Sequence, residues 1–184
     1  MATSAFPTKQ YTSEQFVESC GAVLLDFTPP SSRVCLIQYL ETNEWLLPKG
    51  RRNIGESRRE AALREVKEET GYECRIYPVA MLTRAPRSED AENVFDEVRI
   101  CPGIEEPFML TVRELGEEDG VKVIWWFVAC VEMNTGDLTR GVQGSADFGA
   151  EFFEYEEALQ KLEFQTDRDV LARAIEMVEG SSIV

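Results

Sequence analysis

One short segment, residues 57–71, constrains the fold of this chain more than any other. Its sequence, "SRREAALREVKEETG", predicts a helix, with Ser57 as the N-cap and Gly71 as the residue that ends it. Ala62, Leu63 and Val66 recur at helical spacing and form an apolar stripe. The helix must therefore pack one side against other elements, and its ends are fixed by the sequence itself.

The segments around this helix are typical of strands. Residues 20–27 and 33–40 predict an antiparallel pair across the turn "TPPSS". Further strands are predicted at 72–84 and 150–155, and a hairpin at 108–115 and 121–133. This alternation of strands and helices indicates one mixed α/β (α+β) domain over residues 18–184, after a polar lead-in at 1–17.

The second half of the chain adds two helices and two long connections. Residues 156–162 predict a short helix, and the pattern Thr166-x-x-Asp169 predicts a capping box that opens a last helix to about Val178. Residues 85–107 and 139–149 read as loops. A long connection in a compact domain is often functional, so we expect 85–107 either to close over a ligand or to be a solvated insertion.

Composition excludes several classes of function. The chain has no histidine, which excludes histidine-based triads and histidine metal ligands, and a net charge of −15, which disfavours duplex nucleic acid as a partner. Five cysteines without a C-x-x-C pair indicate reduced thiols inside a cell. With no apolar stretch long enough for a membrane span, we expect a cytoplasmic or nuclear monomer or homodimer.

The end of the helix carries charges of the unfavourable sign. Glu65, Glu68 and Glu69 fall within an arc of about 100° at its negative pole, and we expect no nearby Lys or Arg to relieve them. A solvated acidic face is one interpretation. The other is a binding site for a divalent cation such as Mg²⁺, which prefers oxygen ligands and bridges carboxylates to phosphates.

The loop before the helix carries the opposite charge. Lys49, Arg51 and Arg52 cluster around Gly50. Cations at this place are suited to hold phosphate oxygens beside a metal ion, although an exposed basic loop is the simpler alternative.

Together the loop and the helix resemble the signature of the Nudix family, G-x5-E-x7-R-E-U-x-E-E-x-G-U, where U is apolar. The match runs from Gly50 to Tyr72 in "GRRNIGESRREAALREVKEETGY", and only Tyr72 departs mildly from the pattern. The resemblance implies an α/β/α sandwich with a mixed sheet. It also implies a pyrophosphohydrolase that depends on Mg²⁺ or Mn²⁺.

The resemblance assigns roles to individual residues. Glu65, Glu68 and Glu69 would hold the metal and carry catalysis, with the backbone carbonyl of Lys49 as a further ligand. Glu56 and Arg64 would pair to support the loop, and Gly71 would end the helix. The general base stays open between these glutamates and four acidic residues downstream: Glu117, Glu118, Asp147 and Glu151.

The substrate is less constrained than the reaction. "WLLPKG" at 45–50 and the C-terminal segment resemble the branches that hydrolyse dinucleoside polyphosphates and diphosphoinositol polyphosphates, so we expect an anionic small molecule of one of these kinds. Pro86 leaves ADP-ribose or another nucleotide sugar open, and a ligand-binding domain without turnover is the other alternative. The candidate substrate contacts are Lys49, Gly50, Arg51, Arg52, Arg84 and Arg87, with Arg99 as a possible addition.

Overall fold

The structure is a computed structural model, and it describes residues 5–86, 95–116, 120–132 and 146–181. Its elements in chain order are β1 (Phe16–Asp26), β2 (Arg33–Tyr39), β3 (Glu44–Leu46), β4 (Lys49–Arg51), α1 (Arg58–Thr70), β5 (Cys74–Ile76), β6 (Val79–Thr83), β7 (Arg99–Ile104), β8 (Met109–Gly116), β9 (Gly120–Val131), β10 (Phe148–Glu154), α2 (Tyr155–Lys161) and α3 (Gln165–Ser181). Within these residues, no helix is both long and apolar enough to cross a membrane.

A mixed sheet forms the centre of the molecule. Its strands run in the order β10-β2-β1-β9-β5, with β3 beside β2, β4 beside β1 and β8 beside β9. The long central strands β1 and β9 are parallel, whereas the other pairs of this sheet are antiparallel. Strands β6 and β7 form a separate two-stranded sheet.

The two faces of the central sheet bury different helices. Alternate side chains of β1 point to opposite faces, so Cys20, Ala22 and Leu24 pack with the apolar stripe of α1. Val23 and Leu25 pack with α2 and α3 on the other face. The α/β/α sandwich expected from the sequence is confirmed, and the five cysteines are free thiols.

Most predicted elements appear in the structure, but several differ in their bounds or number. The first strand begins at Phe16, inside the predicted lead-in, and the segment 72–84 forms two strands in different sheets with Pro78 between them. Phe148 and Gly149, predicted as part of a loop, belong to β10. The predicted connection 85–107 contains β7, which pairs with β6. The local sequence pattern did not predict this pairing.

The last helix starts earlier than the capping pattern predicted. The carbonyl of Phe164 accepts hydrogen bonds from the N–H groups of Asp167 and Arg168, both at 3.1 Å. Thr166 therefore lies inside the first turn of α3 and cannot be its N-cap.

Candidate functional site

The ends of α1 are held as the sequence predicted. Ser57 Oγ accepts a hydrogen bond from the N–H of Glu60 at 3.2 Å, and the Glu60 carboxylate accepts one from the Ser57 N–H at 2.8 Å. Gly71 takes the left-handed conformation, with φ of 77°, and its N–H reaches the Lys67 carbonyl at 2.8 Å. These caps fix where the helix begins and ends, and hence where its acidic side chains lie.

Two of the three glutamates lie directly against β4. Glu69 Oε2 accepts a hydrogen bond from the Lys49 N–H at 2.8 Å. The Glu65 carboxylate is buried over Gly50, where a Cβ atom would overlap it. Gly50 is therefore required for this close approach, because any side chain would displace Glu65.

Arg64 is the centre of a charged network that links the loop to the helix. It forms a bidentate pair with Glu56, at 2.7 and 3.0 Å, and donates to Glu65 at 2.7 Å and to Glu68 at 2.9 Å. It also donates to the backbone carbonyl of Arg51 at 2.8 Å. The expectation that no basic residue relieves the glutamates is therefore wrong, because the Arg64 side chain bends along the helix between them.

Glu18 is a supporting residue that the sequence did not reveal. Its carboxylate pairs with Arg52 at 2.9 Å and with Arg58 at 2.8 Å, and accepts from the indole of Trp125 at 3.0 Å. The guanidinium of Arg52 also donates to the Glu56 carbonyl at 2.8 Å. Arg52, predicted as a substrate contact, is thus already engaged in holding the loop.

Burial changes the acidity of two of the glutamates. It raises the pKa of Glu65. It also raises the pKa of Glu69 to about 7, although the Lys49 N–H opposes this shift. Both carboxylates are therefore costly to ionise where they lie, and a cation placed between them would lower that cost.

The donor set fits Mg²⁺ or Mn²⁺ by its chemistry, since Glu65, Glu68 and Glu69 offer only carboxylate oxygens. No group of three or more acidic or thiol side chains in the described part of the chain converges on a single point. The reason is visible in the contacts, because Arg64 and the Lys49 N–H hold the carboxylates apart. Convergence on one ion needs Glu68 and Glu69 to exchange these partners.

Basic side chains occupy the opposite side of β4. Lys49 and Arg51 point away from α1, because the intervening Gly50 is the residue that faces Glu65. Across the sheet, Lys122 of β9 lies opposite Arg113 of β8. Burial lowers the pKa of Lys122, and the like charges of Lys49, Arg113 and Arg51 lower it further. Neither Lys122 nor Arg113 was found from the sequence.

The remaining predicted residues lie elsewhere or outside the described ranges. Arg84 forms a bidentate ion pair with Asp96, at 2.8 and 2.6 Å, and Arg99 donates to the Phe95 carbonyl at 3.0 Å. Asp147 precedes β10, and Glu151 is an exposed residue within that strand. Three candidates fall outside the described residues: Arg87, Glu117 and Glu118.

Comparison with known proteins places this site in a family. The model of the Nudix domain matches residues 18–174. A putative 8-oxo-dGTP diphosphatase of Bacillus subtilis is 35% identical over 65 residues, which are 35% of this chain and 44% of that protein. The chain thus covers less than half the length of this curated relative.

Solved structures match over nearly the whole chain at low identity. An Ap4A hydrolase of Caenorhabditis elegans aligns with a TM-score of 0.54 and 20% identity, covering 88% of this chain and 96% of that one. The Nudix domain of Shewanella oneidensis NrtR, complexed with ADP ribose, aligns with a TM-score of 0.55 and 15% identity, covering 94% and 93%. These matches show a shared fold, and together with the family model over residues 18–174 they mean that the chain belongs to the Nudix family.

Proposed function

We propose that this protein hydrolyses a pyrophosphate bond in a polyphosphorylated small molecule, with Mg²⁺ or Mn²⁺ held by Glu65, Glu68, Glu69 and the Lys49 carbonyl. One observation carries the proposal: the acidic end of α1 is packed against β4 at Lys49 and Gly50. Carboxylates therefore lie on one side of a three-residue strand, and the side chains of Lys49 and Arg51 lie on its other side.

The division of charge at β4 matches the needs of phosphoryl transfer. When bound, a divalent ion supplies charge stabilisation at the phosphate and activates water. Lys49 and Arg51 bind the phosphate oxygens and orient the scissile bond. The general base stays open, because a bound cation would favour the ionised form of each glutamate that holds it. Arg64 keeps Glu65 and Glu68 in position through its contacts with both.

For the substrate, we favour a diadenosine polyphosphate or a diphosphoinositol polyphosphate. Both are polyanions, and the basic side of β4 offers more cations than a single pyrophosphate needs. The structural likeness to an Ap4A hydrolase concerns the fold, at 20% identity, so the support comes from the charges. ADP-ribose, which is bound to the NrtR domain, is the second candidate, because that domain shares the fold.

A substrate panel tests the proposal. The purified chain is incubated with Mg²⁺ and diadenosine polyphosphates, diphosphoinositol polyphosphates, ADP-ribose, NADH or oxidised nucleotides, and the products are measured. We expect turnover of at least one substrate and none after chelation of the metal. Tight binding of a panel member with no turnover of any would overturn the enzyme reading and favour a ligand-binding domain.

A further inference from the structure

Four basic residues share the face of the central sheet that packs against α3. In the sheet, Lys49 lies in the row of Gly21, Arg51 in the row of Ser19, and Lys122 in the row of Val17. Residues aligned across neighbouring strands point to the same face, as do residues two apart along one strand. The fourth member, Arg113, lies opposite Lys122. We call these four residues the basic face.

The basic face is longer than a single pyrophosphate needs. It runs from β4 across β1 and β9 to β8, which is three steps of about 4.8 Å, or about 14 Å in all. Its near end adjoins Glu69, because the N–H of Lys49 donates to that carboxylate. A ligand that began at the glutamates would therefore continue past Lys49 and Lys122 towards Arg113.

None of the four cations of the basic face forms an ion pair with another described residue, although each lies beside like charges. Two described carboxylates attract these cations without forming an ion pair: Glu69 attracts Lys49 and Lys122, and the buried Asp167 of α3 attracts Lys49 and Arg113. Two carboxylates beside four cations leave an excess of positive charge.

An unpartnered hydroxyl lies in the same part of the sheet. Ser19 is fully buried in the row of Arg51, and its Oγ has no hydrogen-bond partner among the described atoms. A buried polar group without a partner is costly, and such groups often mark a place that a ligand or water completes. This observation is independent of the charges and points to the same place.

We propose that the basic face binds the phosphoryl groups that lie outside the scissile pyrophosphate, and that Lys122 and Arg113 make the site selective for ligands with three or more phosphoryl groups. Lys49 and Arg51 hold the phosphates next to the glutamates, while Lys122 and Arg113 hold those farther along. The selectivity for a substrate rests on the proposed function, whereas the binding of an oligophosphate does not.

Binding to the metal-free protein tests the site directly. Inorganic tripolyphosphate serves as the linear probe, inositol hexakisphosphate as the ring-borne probe and pyrophosphate as the short one. All are titrated calorimetrically in EDTA at low salt. We expect Lys122→Met and Arg113→Met each to weaken binding of at least one longer probe by about 10-fold or more, and to change pyrophosphate binding less. Lys122→Arg, which keeps the charge, should restore most of the affinity.

The control is Arg75→Met, which removes one exposed cation on β5 and matches the variants in net charge. Equal binding by the Lys122, Arg113 and Arg75 variants, with unchanged thermal melting, would overturn the proposed site. Loss of tripolyphosphate binding assigns a linear chain as the ligand, and loss of hexakisphosphate binding assigns a phosphorylated ring.

The two proposals fail separately. If Lys122→Met loses oligophosphate binding while the wild-type protein turns over nothing in the panel, the basic face stands and the hydrolase proposal fails. If the panel reveals a substrate, and Lys122→Met hydrolyses it with unchanged KM and binds every probe like the wild-type protein, the hydrolase proposal stands and the basic face is wrong.

Discussion

The two sides of β4 differ in how their charges are satisfied. On the side of α1, Glu65 and Glu68 are held by Arg64, and Glu69 is held by the Lys49 N–H. On the other side, Lys49 and Arg51 have no ion pair with any described residue, and the same is true of the rest of the basic face. Among the described residues, the carboxylates of the acidic side all have hydrogen-bond partners, whereas the cations of the basic face form no ion pair.

This difference indicates what each side is built to do. A network whose members are all hydrogen-bonded fixes the position of its side chains, so the glutamates are held near β4 without a ligand, and a cation has to displace some of these partners to bind. Like charges without counter-charges repel one another, and the binding of an anion stabilises them. Under the two proposals, the acidic side would position the chemistry and the basic face would supply affinity.

Breaking the acidic network should have the largest effect on stability. Replacing Arg64 by Met leaves Glu56, Glu65 and Glu68 without their shared partner, and the first two are largely buried. We expect a loss of about 2–4 kcal/mol in the free energy of unfolding of the metal-free protein. Urea unfolding in EDTA measures this, with Arg75→Met as the control for charge. Equal stability of the two variants would mean that the Arg64 network contributes nothing to the free energy of unfolding.

The acidic side should also make metal-free stability depend on pH. Folding raises the pKa of Glu69 from 4.5 to about 7, so the folded state holds a proton that the unfolded state has lost between these values. Stability therefore falls as pH rises through this window. Glu69→Gln should remove that fall and be more stable than wild type by about 1–3 kcal/mol at pH 8, but not at pH 4. Parallel stability–pH curves for the two proteins would contradict this account.

Removing a cation from the basic face should raise stability, in contrast to Arg64→Met, and should have the smallest effect. Lys122→Met removes one of four neighbouring like charges and breaks no ion pair among the described residues. We expect the ligand-free protein to gain a few tenths of a kcal/mol at low salt, and the gain to shrink as salt screens the repulsion. Thermal melting at two salt concentrations measures it. A loss of stability comparable to that of Arg64→Met would show that Lys122 has a structural partner.

The sequence predicted what local rules encode. Ser57 and Gly71 cap α1 as predicted, because a capping box and a left-handed glycine need only neighbouring residues. The hairpin of β8 and β9 and the pair of β1 and β2 were predicted for the same reason. The predicted start of α3 was wrong. The pattern at Thr166 indicated a cap there, but the hydrogen bonds to the Phe164 carbonyl start the helix earlier.

Contacts between distant segments could not be predicted in this way. Glu18 of β1 reaches Arg52, next to β4, and Arg58 of α1. Lys122 meets the cations of β4 only because β9 runs parallel to β1. Such register depends on the whole sheet, so the basic residues near Gly50 were visible in the sequence while the far half of the basic face was not.

We propose that the glutamates on α1 carry the chemistry at this site. The most direct test is the turnover of the best panel substrate, with saturating Mg²⁺, by Glu69→Gln and by Glu156→Gln, an exposed glutamate on α2. We predict that Glu69→Gln lowers kcat by at least about 100-fold, and that Glu156→Gln stays within about twofold of the wild-type value. Wild-type turnover by Glu69→Gln would contradict the assignment of the site.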